Sequence, residues 1–134
     1  MRLEREDCAD AIEKTLRDDY KQLFFISKSA GHFVSLKIDE RYKDRNLRHI
    51  CYTPVTDNVD DIAVRNCKVF IGTKDKWISK ESISRIQNLP HIELNMIENA
   101  VHSLEIDNDY KASIQILCNV TDLCDDYIRR YMAK

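Results

Sequence analysis

Residues 22–32 read Gln22-Leu23-Phe24-Phe25-Ile26-Ser27-Lys28-Ser29-Ala30-Gly31-His32. The run from Gln22 to Ile26 is short, unbroken and apolar, the pattern of a parallel strand buried on both faces under helices. A turn of small residues follows at once. From Ala30 to about Glu40 the apolar residues Phe33, Val34, Leu36 and Ile38 then recur at helical spacing. A strand that passes through so abrupt a turn into a helix is the opening of a βαβ unit, and the rest of the chain is read against it.

The same alternation continues in both directions. Residues 3–18 place Leu3, Cys8, Ala11, Ile12 and Leu16 on one helical face, with charges opposite. After the polar connection from Arg41 to Arg48, residues 49–53 form a second strand, which Pro54 ends because it has no N–H for a sheet ladder. Pro54 also biases Thr53 towards an extended backbone. An acid-rich connection leads to Cys67-Lys68-Val69-Phe70-Ile71-Gly72, a third β-branched and aromatic run. A helix starting near Ser79 follows, and Pro90 separates it from residues 91–97, whose alternation of apolar and polar residues suits a half-exposed edge strand. A loop over residues 98–107 precedes a final helix from about Asp109 to Tyr131, with Ile114, Leu117, Cys118, Leu123 and Ile128 at helical spacing. Strands alternating with helices predict an α/β, three-layer architecture: a short parallel sheet of about four strands flanked by helices, in one domain over residues 1–134.

Composition excludes several function classes. The chain has 134 residues, with 21 Lys+Arg against 23 Asp+Glu, a formal net charge of -2. No basic field exists to hold a nucleic-acid backbone, so nucleic acid is not an expected partner. No stretch approaches the ~20 apolar residues of a membrane span, and the amino-terminal residues lack an apolar signal core, which predicts a soluble, cytoplasmic protein without membrane contact. Five cysteines, Cys8, Cys51, Cys67, Cys118 and Cys124, are dispersed without a C-x-x-C pair. They read as buried thiols in a reducing compartment, and neither a metal site nor a cofactor is expected. Only Gly31 and Gly72 are glycine. In so glycine-poor a chain each is expected where the backbone or a close contact excludes a side chain.

Three positions carry candidate chemistry. At Ser27-Lys28-Ser29-Ala30-Gly31, Ser29 sits on the strand-to-helix turn with small residues two positions before and after it, as a nucleophile elbow requires. Ser27 as nucleophile would place Phe25 in the tight position, which the geometry disfavours. A plain helix start capped by Ser27 or Ser29 accounts for the same residues. At Gly72-Thr73-Lys74-Asp75, a strand ending in glycine puts the Asp75 carboxylate at the carboxyl end of a parallel strand, where functional groups of open α/β sheets collect. At Val101-His102-Ser103-Leu104, His102 follows the last strand and can reach across the strand ends. His49 and His91 open strands. His32, at the helix start, can line a pocket. Singly, each of the three is an ordinary surface residue. Together they fall in the order Ser, acid, His, each after a different parallel strand.

With these residues the chain resembles the α/β-hydrolases of the small bacterial esterase-like group. Ser27-Lys28-Ser29-Ala30-Gly31 is similar to that family's G-x-S-x-G with serine for the first glycine, Gly72-Thr73-Lys74-Asp75 resembles its G-x-x-D, and Val101-His102-Ser103-Leu104 resembles its histidine loop. Thr53-Pro54-Val55-Thr56 is similar to a T-P segment of some members. The resemblance runs from about residue 5 to 131 and implies a truncated α/β-hydrolase fold. It also implies a Ser29, His102, Asp75 triad acting on a small carboxylic ester, with the Ala30 N–H as one oxyanion donor. The family has four strands before the elbow and draws a second donor from a loop among them, which these residues do not supply. Three expectations follow: an ester hydrolase, a weak or inactive relative serving as an interaction protein, or an α/β module whose SKSAG turn cradles an anion. The last lacks the G-x-x-x-x-G-K-[ST] pattern of a phosphate loop. With the front strands missing, the strand at 22–26 becomes an apolar edge, which predicts a homodimer.

Overall fold

The computed structural model describes residues 2–43 and 45–132. The side chain of Leu3 and all of Asp44 lie outside the described residues. Four strands, β1 (Gln22–Lys28), β2 (Asn46–Tyr52), β3 (Cys67–Gly72) and β4 (Ile92–Ile97), form one parallel sheet in the order β1-β2-β3-β4. Helices α1 (Arg2–Glu13), α2 (His32–Arg41), α3 (Val59–Ile62), α4 (Lys80–Gln87) and α5 (Tyr110–Met132) complete the described elements.

Strand alternation divides the sheet into two faces. Ile50 and Phe70 point to one face and pack against Val120, Cys124 and Tyr127 of α5. Cys51, Cys67, Val69 and Ile71 point to the other, where Val59 and Ile62 of α3 and Ile86 of α4 cover them. On that second face α2 is tied to β2 through Asp39, which accepts from His49 Nε2 at 3.1 Å and from Arg65 Nε at 2.5 Å. The molecule is a three-layer α/β fold. β3 is buried throughout. Its one charged residue, Lys68, reaches Glu93 at 3.2 Å, and Glu93 is also held by Arg130 of α5.

Four local expectations are corrected. The apolar run at the start of β1 is not buried on both faces: β1 is the edge strand expected, but only Leu23 of the run is fully buried and Ile26 is 58% exposed. Thr53 is not extended. Its φ is 44°, in the left-handed region, because its N–H is captured by the Phe70 carbonyl at 2.8 Å while the chain turns off the sheet. The first helix ends at Glu13, where Thr15 Oγ1 donates to the Ile12 carbonyl at 2.6 Å and turns the chain. The cysteines divide: Cys51, Cys67 and Cys124 are buried, whereas Cys8 and Cys118 are exposed thiols.

The acid-rich connection also hides structure. Residues 56–62 fold as a 3-10 turn followed by α3, because Val59 and Ile62 recur three apart and both reach the core. No helix among the described residues is long and apolar enough to cross a membrane.

Candidate active site

The carboxyl ends of β1, β3 and β4 lie along one edge of the sheet, and each releases one of the three singled-out residues. Lys28 is still extended, at φ -131° and ψ 136°, and Ser29 then turns to φ 49°. For a residue with a side chain, that left-handed backbone costs about 1–3 kcal/mol and is concentrated at functional positions. Residues 29–31 make a single 3-10 turn that runs directly into α2. The Ala30 N–H opens this turn, where backbone donors have no partner within the helix.

The turn is locked from beneath. His32 is fully buried, and its Nε2–H donates to the Tyr52 carbonyl at 3.0 Å, which fixes Nδ1 as the acceptor for the Ser27 hydroxyl at 2.5 Å. Burial holds the His32 imidazole down at about 4, with His49 and His102 adding to the fall against the Tyr52 carbonyl, whose bond favours the charged form. His32 therefore anchors the elbow instead of lining a pocket.

The acid and histidine loops are stitched together by backbone contacts. A Cβ on Gly72 would lie 2.1 Å from the Ala100 carbonyl oxygen and 2.8 Å from that of Val101, so only glycine lets these two loops meet. Ala100 O then accepts from Lys74 N at 2.9 Å, and Thr73 Oγ1 accepts from Asn99 N at 2.8 Å. The turn around His102 closes through Val101 N to Glu105 O and Leu104 N to Val101 O, both 2.9 Å. Gly31 differs. Its φ is -62°, and a Cβ there would meet only Ser27 Cβ at 3.8 Å, so the expected exclusion of a side chain applies at Gly72 alone.

This arrangement brings Ser29, Asp75 and His102 together. His102 Nδ1 lies 2.8 Å from Asp75 Oδ2, and His102 Nε2 lies 2.9 Å from Ser29 Oγ. The Asp75 side chain is wholly buried, whereas that of His102 is 25% exposed, so the carboxylate is shielded and the imidazole opens to solvent. The other oxygen, Asp75 Oδ1, accepts from the Trp77 backbone N–H at 2.8 Å. With a carboxylate on Nδ1, the Nδ1–H tautomer leaves Nε2 free to accept the serine proton.

Two neighbours of this set carried no signal in the sequence. The Trp77 ring stands 6.0 Å from the His102 ring, centroid to centroid, and is 68% exposed. Beside the site a groove of about 800 Å³ opens between Lys28, Tyr52, Leu104, Ile106, Ile114 and Leu117; none of Ser29, Asp75 and His102 lines it. Its walls come from β1, β2, α5 and the loop after β4 that carries His102, which no local pattern joins. Among the described residues no group of three or more His, Cys, Asp or Glu is arranged to hold a metal ion.

No protein-family model matches the sequence, and no curated protein is significantly similar to it. Among solved structures, the fold is similar to a crystal structure described as a predicted CIB-like hydrolase from Thermoplasma acidophilum. The TM-score is 0.59, with 20% sequence identity over 89% of this chain and 59% of that chain. The chain thus spans about three-fifths of its neighbour's length. The likeness is one of fold: a short, three-layer version of the α/β-hydrolase architecture, with its parallel strands and flanking helices.

Proposed function

We propose that this chain is a serine hydrolase of the α/β-hydrolase type acting on small carboxylic esters, with Ser29 as nucleophile, His102 as general base and acid, and Asp75 as the group that orients His102. The observation that carries the reading is the continuous hydrogen-bonded series from Ser29 Oγ through the His102 ring to the buried Asp75 carboxylate, assembled from three separate loops.

The steps follow from the geometry. Ser29 Oγ attacks the ester carbonyl carbon as His102 Nε2 takes its proton. In this reading the Ala30 N–H, at the opening of the 3-10 turn, is the donor to the developing oxyanion. The carbonyl then re-forms, the bond to the alcohol oxygen breaks, and the alcohol leaves with the proton held on Nε2. Water, deprotonated by the same nitrogen, releases the acid and regenerates Ser29. Throughout, Asp75 keeps the imidazole in one tautomer and balances its positive charge, and the Trp77 N–H keeps Asp75 from rotating.

A second reading is favoured by the edge strand β1. In the family the site resembles, a second donor comes from a loop ahead of the elbow strand. Loss of one such donor lowers the rate by about 10²–10³. In this reading the set hydrolyses weakly, with a single donor from Ala30, and the main role is interaction through a dimer built on β1. Intact mass followed over time of exposure to a fluorophosphonate tests the nucleophile, and the labelling rate separates the readings, fast for the hydrolase and slow for its weak counterpart. One adduct per chain, absent in Ser29→Ala, is the expected result. An unlabelled protein that is demonstrably folded would overturn the nucleophile assignment.

A further inference from the structure

We propose that the indole of Trp77 is the binding surface for the alcohol half of the ester, and that the preferred alcohol is aromatic. This rests on the hydrolase reading above and adds the substrate class to it.

The argument starts from how Trp77 is held. On one side its N–H is fixed to Asp75 Oδ1 at 2.8 Å; on the other its carbonyl accepts from Thr56 N at 3.0 Å. The next residue, Ile78, is buried in the core, and Ser79 caps α4 through the Ser82 N–H. The backbone is therefore held at Asp75, Trp77 and Ser79 on either side of the indole, which projects outward. Trp77 is the only tryptophan in the chain. The indole is 68% exposed, and its ring stands beside that of His102.

Its position selects the half of the substrate that it meets. In the acylation step the bond to the alcohol oxygen breaks, the electron pair goes to that oxygen, and the proton on His102 Nε2 moves to it. The alcohol therefore leaves on the histidine side of Ser29. The Trp77 ring is the aromatic surface beside that histidine, 6.0 Å from the His102 ring and tilted 50° to it, within the range in which flat rings pair. A flat aromatic alcohol entering beside His102 stacks on the indole, whereas methanol leaves the ring wet. The acyl half, attached through the carbonyl carbon, points away from His102 and does not meet Trp77.

The test compares benzyl and methyl esters of the same acid, so that the acyl-enzyme is common to both and kcat/KM reports its formation. In Trp77→Ala the benzyl-to-methyl ratio of kcat/KM is expected to fall by about 3- to 10-fold, the scale of one lost aromatic pair. Trp77→Phe is expected to restore most of it. An equal fall for both esters would make Trp77 merely a support for His102 and overturn the proposal. A second readout needs no turnover. In Ser29→Ala the emission of the sole tryptophan should shift saturably on titration with benzyl alcohol. If benzyl alcohol binds saturably but no ester is hydrolysed, the aromatic subsite stands and the hydrolase reading fails. If esters are hydrolysed while the emission and the ratio stay unmoved, the subsite is refuted and the hydrolase reading stands.

Discussion

Gly72 and Gly31 illustrate how far a single residue decides the site. A methyl group at 72 has nowhere to go, because the atoms it meets are backbone carbonyls of the loop that carries His102. Gly72→Ala is therefore expected to destabilise the fold by roughly 3 kcal/mol, the upper end of overpacking costs, and to reduce fluorophosphonate labelling by displacing His102. At 31 the backbone is already helical and the space open, so Gly31→Ala is expected to be neutral or to stabilise by ~0.4–1 kcal/mol through the unfolded chain. Thermal unfolding of the two variants reads both signs. Asp75→Asn tests the orienting role. Its amide cannot select the Nδ1–H tautomer, and the rate with any ester substrate should fall by roughly 10⁴ with the fold retained. Ser29, Asp75 and His102 were legible because each stands beside a strand end that composition marks. Trp77 was not, because nothing local tells an exposed tryptophan beside a histidine loop from one on a bare surface.

At the scale of elements, the boundary between β1 and α2 is held by one buried imidazole, and this gives the region a pH dependence. His32 titrates at 6.5 when exposed and is held down at about 4 in the fold. The unfolded chain therefore binds a proton that the folded chain refuses. The contribution is complete above pH 6.5, declines as the pH falls towards 4, and changes no further below that. Its ceiling is about 3 kcal/mol. Denaturant midpoints at pH 7 and pH 4.5 should differ more in the native sequence than in His32→Gln, which cannot charge; equal differences would remove His32 from this role. The strand–helix alternation was readable because β-branched runs and helical spacing are local properties. The fold of residues 56–62 was not, since four acidic or amide residues mask the two apolar residues that reach the core. The edge position of β1 is as expected, but the cover of its faces is not, because an apolar run does not say which of its residues a helix reaches, and Ile26 lies bare.

At the scale of the whole molecule, that uncovered edge makes a definite demand. The Lys21 carbonyl accepts from Asn46 N of β2, so by alternation along the strand Gln22, Phe24, Ile26 and Lys28 turn their backbone groups outward. We propose that two copies related by a two-fold axis through Phe25 pair antiparallel, with Phe24 opposite Ile26 of the second copy and Ile26 opposite its Phe24. The same face carries the exposed Ile114 and Leu117 of α5, which border the groove beside Lys28. Backbone pairing and apolar cover thus coincide in one self-complementary register, which joins two four-stranded sheets into one of eight strands. Sedimentation of the native sequence should move from monomer to dimer as concentration rises, and Ile26→Lys, which sets two charges against the paired phenylalanines, should hold the chain monomeric with its thermal stability intact. Hydrogen exchange gives the finer check: protection at Phe24 and Ile26 should grow with concentration, whereas protection at Leu23 and Phe25, already bonded to β2, should stay constant. A native chain that sediments as a monomer at every concentration would leave β1 as a bare edge and refute the pairing.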